Sequence, residues 1–268
     1  MLTTTLARQI RKHALQMVVR ARASHIGSAL SIADLVAVLY GGVLRVDPDQ
    51  PDWPQRDRFI LSKGHACVAV YAALAARGFI SESDLLTYGA DNSPLMNHIS
   101  HKVPGVEFST GSLGHGLSFG VGKALAAKRQ GLDWRTFVLM SDGELGEGSN
   151  WGALLVGAHH QLDNLVAIID YNKLQSLTSV ERTLNMEPLV QKLEAFGWSV
   201  RSVDGHDHGL LEAALRGAPW STHRPSVLIA NTTKGKGVSF MENQVQWHYR
   251  TPSDVQLAEA LAEIDGTR

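Results

Sequence analysis

The sequence is poor in the features that define several large classes of protein. Cysteine occurs once in 268 residues, as Cys67, which excludes an internal disulfide and a cysteine-based zinc site. No apolar run approaches the roughly 20 residues of a membrane helix, and the charged N-terminal stretch is unlike a signal peptide. Basic and acidic side chains nearly balance, 25 against 26, so the surplus typical of nucleic-acid binding is missing. We therefore expect a cytoplasmic globular protein that binds neither nucleic acid nor a membrane.

The apolar content can support a substantial core in one continuous domain. Hydrophobic residues make up 44% of the chain, and no repeat or linker-like stretch divides it. We expect a single domain over residues 1–268, with N-terminal helices at about 3–40 and a C-terminal segment at about 238–268 packed on it. Ser31 to Asp34 and Ser81 to Asp84 match the capping-box pattern, which predicts a helix start at each.

Alternation of strand and helix patterns predicts the fold class. Residues 136–140 and 165–171 are largely apolar runs, separated by a helical pattern, and this is typical of a strand-helix-strand unit with parallel strands buried on both faces. The same alternation recurs towards residue 231. The sequence therefore predicts an α/β fold with a doubly wound, mostly parallel sheet, helices on both faces and an N-terminal helical prelude.

Two polar residues follow the two clearest predicted strands. Asp142 comes just after the first, and Asn172 follows the second, 30 positions further on. Ligands of parallel sheets bind outside the carboxyl ends of the strands. One carboxylate, one amide oxygen and a backbone carbonyl near Leu174 would suit Mg²⁺, which also takes oxygens from water and phosphate. Gly143 and the helix start near Ser149 would favour an anion, so the pattern predicts a magnesium-bound diphosphate.

The pair resembles the thiamine-diphosphate binding motif, with Ser141 in place of the usual first glycine and Tyr171 in place of the usual residue before the asparagine. Further stretches, "SHIGSALSIADLVAVLY", "ILSKGHACVAVYAALAARG", "MNHISHKVPGVEFSTGSLGHGLSFGVGKALAAK" and "VDGHD", resemble transketolase in the same order. The resemblance runs from about residue 6 to residue 250. The chain resembles the N-terminal, diphosphate-binding subunit of a split transketolase.

The resemblance assigns the site residues. It implies metal ligation by Asp142, Asn172 and the carbonyl of Leu174. It implies cofactor contacts from the phosphate-side and pyrimidine-side residues His65, Gly111, Leu113, Gly143, Glu144, Asn172 and His248. It implies catalytic roles for His25, His98 and His248, which would handle substrate hydroxyls and move protons.

The implied reaction is transfer of a two-carbon ketol unit from a ketose phosphate to an aldose through a thiamine-diphosphate carbanion. Proton movement between sugar oxygens suits histidines that titrate near neutrality. Glu147 matches a family residue at the subunit interface. The family also needs a glutamate that activates the aminopyrimidine from a separate domain. We therefore expect a C-terminal partner subunit that supplies it, in an α2β2 heterotetramer acting on sugar phosphates.

Several alternatives stay open at the level of the sequence. His101 rivals His98 for the substrate-facing position, and Lys234 and Lys236 could either attract a phosphate or lie in a solvated turn. The pattern Gly116-Leu117-Ser118-Phe119-Gly120 matches the nucleophile elbow of serine hydrolases, but the elbow requires a strand directly before the serine. A 1-deoxyxylulose-5-phosphate synthase-like carboligase, the α subunit of a 2-oxoacid dehydrogenase, another acyl-transferring thiamine enzyme and a non-catalytic regulatory subunit are the remaining hypotheses.

Overall fold

A five-stranded parallel sheet organises the chain, of which the computed structural model describes residues 1–267. The strands are β1 (Arg58–Leu61), β2 (Thr136–Ser141), β3 (Leu165–Tyr171), β4 (Ser199–Asp204) and β5 (Ser226–Asn231). Their order across the sheet is β1-β2-β3-β5-β4, and each neighbouring pair is parallel. The carboxyl ends of all five strands therefore lie at one edge of the sheet.

Helices connect these strands and flank the sheet. They are α1 (Thr3–Arg20), α2 (Ile26–Ser31), α3 (Ala33–Val38), α4 (Cys67–Ala76), α5 (Gly116–Gln130), α6 (Gly148–His159), α7 (Val180–Thr183), α8 (Leu189–Ala195), α9 (His208–Arg216) and α10 (Asp254–Asp265). Short 3₁₀ segments cover Gly64–Ala66, Glu82–Thr87, Gly143–Gly146 and Val245–His248, and a π-helical turn covers Leu39–Val43. Within residues 1–267, none of these helices is long and apolar enough to cross a membrane.

Helices cover both faces of β1, β2, β3 and β5, whose residues are nearly all buried, whereas the edge strand β4 is partly exposed. Successive residues of a strand point to opposite faces of the sheet. Phe137 and Leu139 of β2 belong to the core that contains residues of α1 to α4 and α9, whereas Val138 and Met140 belong to the core that contains residues of α5, α6 and α8. The predicted α/β fold with helices on both faces is confirmed. The N-terminal helix α1 packs on α3, α4 and α10 rather than on the sheet alone.

The two predicted capping boxes have different outcomes. Ser81 caps the Glu82–Thr87 segment as expected, through reciprocal bonds with Asp84. The cap predicted at Ser31 is wrong, because Ser31 is the last residue of α2 and makes no capping bond at the start of α3. Its hydroxyl is fully buried and donates to the carboxylate of Asp170, 2.6 Å away. A long-range acceptor therefore replaces the local backbone acceptor that the pattern suggested.

Candidate active site

The carboxyl ends of β1, β2, β3 and β5 surround one cavity of about 270 Å³. His65 lies just after β1, Asp142 directly after β2, and Asn172 directly after β3. Lys234 reaches the cavity from the segment that follows β5. Four strand ends thus bring residues from distant parts of the chain to one position, as parallel sheets do.

Asp142 is a buried acid in this cavity, with 1% of its surface exposed. Its hydrogen-bond partners within residues 1–267 are two backbone N–H groups, those of Gly143 at 2.8 Å and Lys173 at 2.5 Å. Burial, together with the nearby charge of Asp170, raises the pKa of Asp142 to about 7. Among the described residues no charged side chain bonds directly to this carboxylate, although Lys63 is near enough to oppose the rise of its pKa, and a bound cation would provide a direct counter-charge.

Asn172 and Leu174 complete an oxygen-rich set beside Asp142. The amide oxygen of Asn172 accepts from the backbone N–H of Leu174 at 3.0 Å, and all three residues line the cavity. Over residues 1–267, no group of three or more His, Cys, Asp or Glu side chains could hold a metal. A metal here would therefore rely on one carboxylate with neutral oxygens, a set that Mg²⁺ accepts and Zn²⁺ rarely uses. The residues present fit magnesium.

The structure separates the two lysines that the sequence treats alike. Lys234 is 1% exposed, and its ammonium group donates to the carbonyl of Gln175 at 3.0 Å and lies 3.2 Å from Nδ1 of His248. Burial, with the charge of Lys63, lowers the pKa of Lys234 to about 8. Lys236 instead lies 3.5 Å from Glu242 and is not among the cavity residues. The solvated-turn interpretation is therefore wrong for Lys234.

Four histidines, His25, His65, His98 and His248, form one wall of the cavity. The ring centroid of His25 lies 5.1 Å from that of His65, 5.9 Å from His98 and 4.9 Å from His248. His25 adopts a left-handed backbone conformation with φ of 71° and donates its backbone N–H to the carbonyl of His248 at 2.7 Å. This bond joins residues that lie more than 220 positions apart and fixes the two rings beside each other.

The pKa values of His25, His65 and His248 lie below the ordinary range of an imidazole, which corrects the expectation from the sequence that they titrate near neutrality. Burial, followed by the charges of His98, Lys234 and Lys63, lowers the pKa of His25 to about 4. Burial and the charge of Lys234 lower the pKa of His248 to about 3, and burial holds the pKa of His65 well below its ordinary value. At neutral pH these three side chains are uncharged, so each ring has one nitrogen that donates and one that accepts.

The glycine-rich loop before α5 also lines the cavity, with Gly111 next to His98. Gly111 and Leu113 line the cavity, as expected for residues that face a bound ring. Glu144, expected to contact the cofactor, is fully buried and is not among the cavity residues. Its carboxylate accepts from the backbone N–H of Gly114 at 2.8 Å and from the hydroxyl of Ser62. In this arrangement Glu144 holds the loop against the end of β1.

The structure also decides between His98 and His101, and it tests the possible nucleophile elbow at Ser118. His98 lines the cavity, whereas His101 lies outside its lining and places Nδ1 2.7 Å from the hydroxyl of Ser109. Ser118 is exposed on α5, which follows a loop rather than a strand, so the nucleophile elbow is absent at this position.

The residues of the cavity lining that were not identified from the sequence are Ser28, Lys63, Gln175, Ser176 and Tyr249. Lys63 lies two residues before His65, a proposed cofactor residue, and this closeness in sequence could have identified it as a cavity residue. Tyr249 stands beside His248 at the mouth and is 59% exposed. Its position next to a proposed catalytic histidine was the corresponding signal.

Comparison with known proteins agrees with this geometry. The family "Transketolase, thiamine diphosphate binding domain" matches residues 2–260. The chain is 44% identical over 254 residues to an apulose-4-phosphate transketolase subunit from Phocaeicola vulgatus, covering 95% of this chain and 90% of that protein. It is 37% identical over 260 residues to a 6-deoxy-6-sulfo-D-fructose transketolase subunit from a Clostridium species, covering 97% of this chain and 94% of that protein.

Solved transketolases have the same fold. The structure superposes on transketolase from Leishmania mexicana with a TM-score of 0.92 at 32% identity, covering 99% of this chain and 41% of that one. For transketolase from Campylobacter jejuni the TM-score is 0.93 at 31% identity, with coverage of 98% and 42%. The chain thus spans about two fifths of the length of these solved enzymes. From its cavity, its fold and its sequence, the chain belongs to the transketolase family and corresponds to the thiamine-diphosphate-binding domain of that family.

Proposed function

We propose that this chain is the N-terminal, diphosphate-binding subunit of a transketolase that transfers a two-carbon ketol unit from a ketose phosphate to an aldose. One observation carries the proposal. Asp142 and Asn172 directly follow two adjacent strands and line the same cavity as four histidine rings. A diphosphate–metal subsite and a proton-transfer subsite therefore adjoin, as ketol transfer requires. In this function, residues 1–268 would form one domain that binds the diphosphate and the metal.

Placement of the cofactor follows from the polarity of the walls. Asp142, Asn172 and the carbonyl of Leu174 would hold Mg²⁺, and Gly143, His65 and Lys234 would face the diphosphate, with Gly111 and Leu113 beside the aminopyrimidine. When bound, thiamine diphosphate supplies the carbon nucleophile for the ketose carbonyl. The two buried lysine ammonium groups, Lys63 and Lys234, offset negative charge that the cofactor would bring into the cavity.

The histidines would act on the sugar. Because His25 and His248 are uncharged at neutral pH, each ring has one nitrogen that donates and one that accepts. The Nδ1 atom of His248 accepts from the ammonium group of Lys234, 3.2 Å away, which leaves its Nε2–H to donate to a sugar oxygen. The Nδ1 atom of His25 lies 3.0 Å from the hydroxyl of Ser24, which leaves its Nε2 atom for the sugar. Their perpendicular rings, 4.9 Å apart, offer donors and acceptors along two directions. His98 is more exposed and would meet the substrate nearer the mouth of the cavity.

A partner chain is the next part of the proposal. The two relatives described above match this chain over most of their own length, and both carry the word subunit in their names. Glu147 is exposed just before α6, beside the glycine-rich loop, where a second chain could reach it. We propose that a C-terminal transketolase subunit supplies the glutamate that activates the aminopyrimidine, in a cytoplasmic α2β2 assembly that uses sugar phosphates.

The assay of ketol transfer tests this function. The chain and its partner would be purified separately and together, then supplied with magnesium, thiamine diphosphate, a ketose-phosphate donor and an aldose acceptor. We expect transfer in the mixture and none with either chain alone, and mass measurement in solution should give two copies of each. Robust turnover by this chain alone would contradict the shared site. Absence of transfer with every ketose phosphate, despite cofactor binding, would point to another thiamine enzyme.

Lys234 provides a test of the diphosphate subsite. Replacing it with glutamine removes a buried cation, so we expect thiamine-diphosphate affinity at pH 7 to fall roughly 10- to 100-fold, the usual value of a charge-assisted hydrogen bond. The pKa of about 8 means that Lys234 loses its proton as the pH rises through 8. The ratio of wild-type to Lys234→Gln affinity should therefore decline between pH 7 and 9. The ratio is the measure because deprotonation of Asp142, whose pKa is about 7, affects both proteins alike.

Lys236→Gln is the matched control, because Lys236 pairs with Glu242 away from the cavity. Calorimetric titration with thiamine diphosphate across this pH range compares the three proteins. Equal losses in the two variants would indicate a general charge effect and contradict the specific role of Lys234.

A further inference from the structure

Behind the proposed metal ligands lies a polar cluster centred on the fully buried Asp170. Asp170 is on β3, two residues before Asn172, and is 0% exposed. Its Oδ1 accepts from the hydroxyls of Ser31, at 2.6 Å, and of Thr232. Its Oδ2 accepts from the ammonium group of Lys63 and, at 3.0 Å, from the amide nitrogen of Asn172. The fully buried carboxylate thus has a counter-charge and four donors.

The hydrogen bonds determine which way the amide of Asn172 faces. A serine hydroxyl carries one proton, and Ser31 gives its proton to Asp170. Towards Asn172 Nδ2, at 3.2 Å, Ser31 is therefore an acceptor. Both protons of the Asn172 amide nitrogen are taken by acceptors, Asp170 Oδ2 and Ser31 Oγ, on the side away from the cavity. The amide oxygen is left on the other side, next to the Leu174 backbone N–H.

We propose that Ser31 and Asp170 are positioning residues, which hold the amide of Asn172 with its oxygen towards the metal subsite. This inference rests on the proposed function, in which Asn172 is a ligand of the metal ion. Rotation of the amide by half a turn would place its oxygen against the Asp170 carboxylate and its N–H₂ group against a backbone N–H. Both contacts are repulsive, so the cluster selects one orientation in advance of binding.

The same cluster explains why an asparagine, and not an aspartate, stands after β3. Aspartate at position 172 would place a carboxylate oxygen about 3.0 Å from Oδ2 of the fully buried Asp170. It would also lose both donors that the asparagine gives to Ser31 and Asp170. Like charges at that distance disfavour ionisation of one group and move the side chain. An added negative charge, which ordinarily favours a cation, is therefore unfavourable here.

Two hydroxyls bonded to Asp170, that of the buried Ser31 and that of the half-buried Thr232, offer a pair of variants. Ser31 and Thr232 both donate to Oδ1 of Asp170, but only Ser31 also accepts from Asn172. Ser31→Ala therefore removes one of the two acceptors that orient the amide, and Thr232→Val removes a donor to Asp170 and leaves both acceptors in place. A general loss of core stability should affect the two variants to similar extents, whereas a loss of amide orientation should affect Ser31→Ala alone.

The experiment measures Mn²⁺ affinity in the presence of thiamine diphosphate, by calorimetry and by the electron paramagnetic resonance signal of free Mn²⁺. The protein is this chain assembled with its partner. We expect Ser31→Ala to weaken Mn²⁺ binding about 10- to 100-fold, as is usual for partners of metal ligands. Thr232→Val should stay within about 3-fold of wild type by the same measure, with melting temperatures reported for both. Asn172→Asp should bind Mn²⁺ more weakly than wild type.

The outcomes separate this inference from the function on which it rests. Wild-type binding of Mn²⁺ with unchanged affinity in Ser31→Ala would overturn the positioning role and leave the metal site intact. Equal losses in Ser31→Ala and Thr232→Val would overturn it as well, since that indicates loosening of the core. Tighter binding by Asn172→Asp would contradict the role of Asp170. A wild-type protein that binds thiamine diphosphate without any metal would reject the proposed metal site itself.

Discussion

Replacement of Asp142 by alanine is expected to abolish magnesium-dependent binding of thiamine diphosphate while the fold stays intact. Asp142 is the only carboxylate in the proposed ligand set, and the other two ligands are neutral oxygens, so its loss removes the charge attraction for the cation. Its two hydrogen-bond partners are backbone N–H groups at the end of β2 and after β3, which can be solvated through the cavity. Calorimetry on the two-chain complex measures the effect, and unchanged cofactor affinity would reject the metal assignment.

The Asp142→Asn variant adds a control on stability in the absence of metal. Asp142 has a pKa of about 7 in the folded protein, against 3.8 ordinarily. Between these values the folded state binds more protons than the unfolded state, so this group lowers the free energy of unfolding as the pH rises from about 4 to about 7. The variant lacks this titration. The stability of wild type relative to Asp142→Asn should therefore increase as the pH is lowered through that range, as thermal melts can show.

Alanine at His25 or at His248 is expected to lower ketol transfer by roughly 10²- to 10⁴-fold, the usual effect of losing an acid–base group. Both rings border the cavity, and both are uncharged at neutral pH, so they can exchange protons with sugar oxygens. Cofactor affinity should change far less. His248 is the more demanding case, because its Nδ1 lies 3.2 Å from the ammonium group of Lys234, which faces the diphosphate subsite.

His101→Ala is the matched control for these variants, since His101 bonds to Ser109 outside the cavity lining. Its transfer rate should stay near that of wild type, whereas His98→Ala should raise the KM for the acceptor. Steady-state kinetics at saturating and at limiting thiamine diphosphate distinguish the causes. If excess cofactor restored full activity to His25→Ala and His248→Ala, the proton-transfer role would be wrong.

The strands could be predicted from the sequence because their signal is local. Both faces of β3 are covered, and every residue from Leu165 to Asp170 is buried. The largely apolar run in the sequence therefore predicted the bounds of this strand. The position of Asp142 and Asn172 at one edge then followed from the rule that parallel strands end together. Lys234 shows where this reasoning stops, since a lysine next to a glycine has the same pattern in a solvated turn and in a buried site.

Long-range partners account for what the sequence did not reveal. Ser31 has the local pattern of a helix cap, yet its acceptor, Asp170, is 139 positions away. The pKa values of His25 and His248 could not be inferred either, because they depend on burial and on lysines that reach the cavity from other strand ends. Residue type and spacing identify the members of such a cluster. Their protonation and orientation depend on contacts that exist only in the folded chain.

The backbone bond between His25 and His248 has a consequence for biosynthesis. A nascent chain that has emerged from the ribosome to just past β3 already contains Asp142, Asn172 and three of the four cavity histidines. It still lacks Lys234 and the carbonyl that fixes His25, because these come from the segment after β5. Contacts of such separation form late in folding. The ability to bind the cofactor should therefore arise only near the end of translation, after most of the sheet has formed.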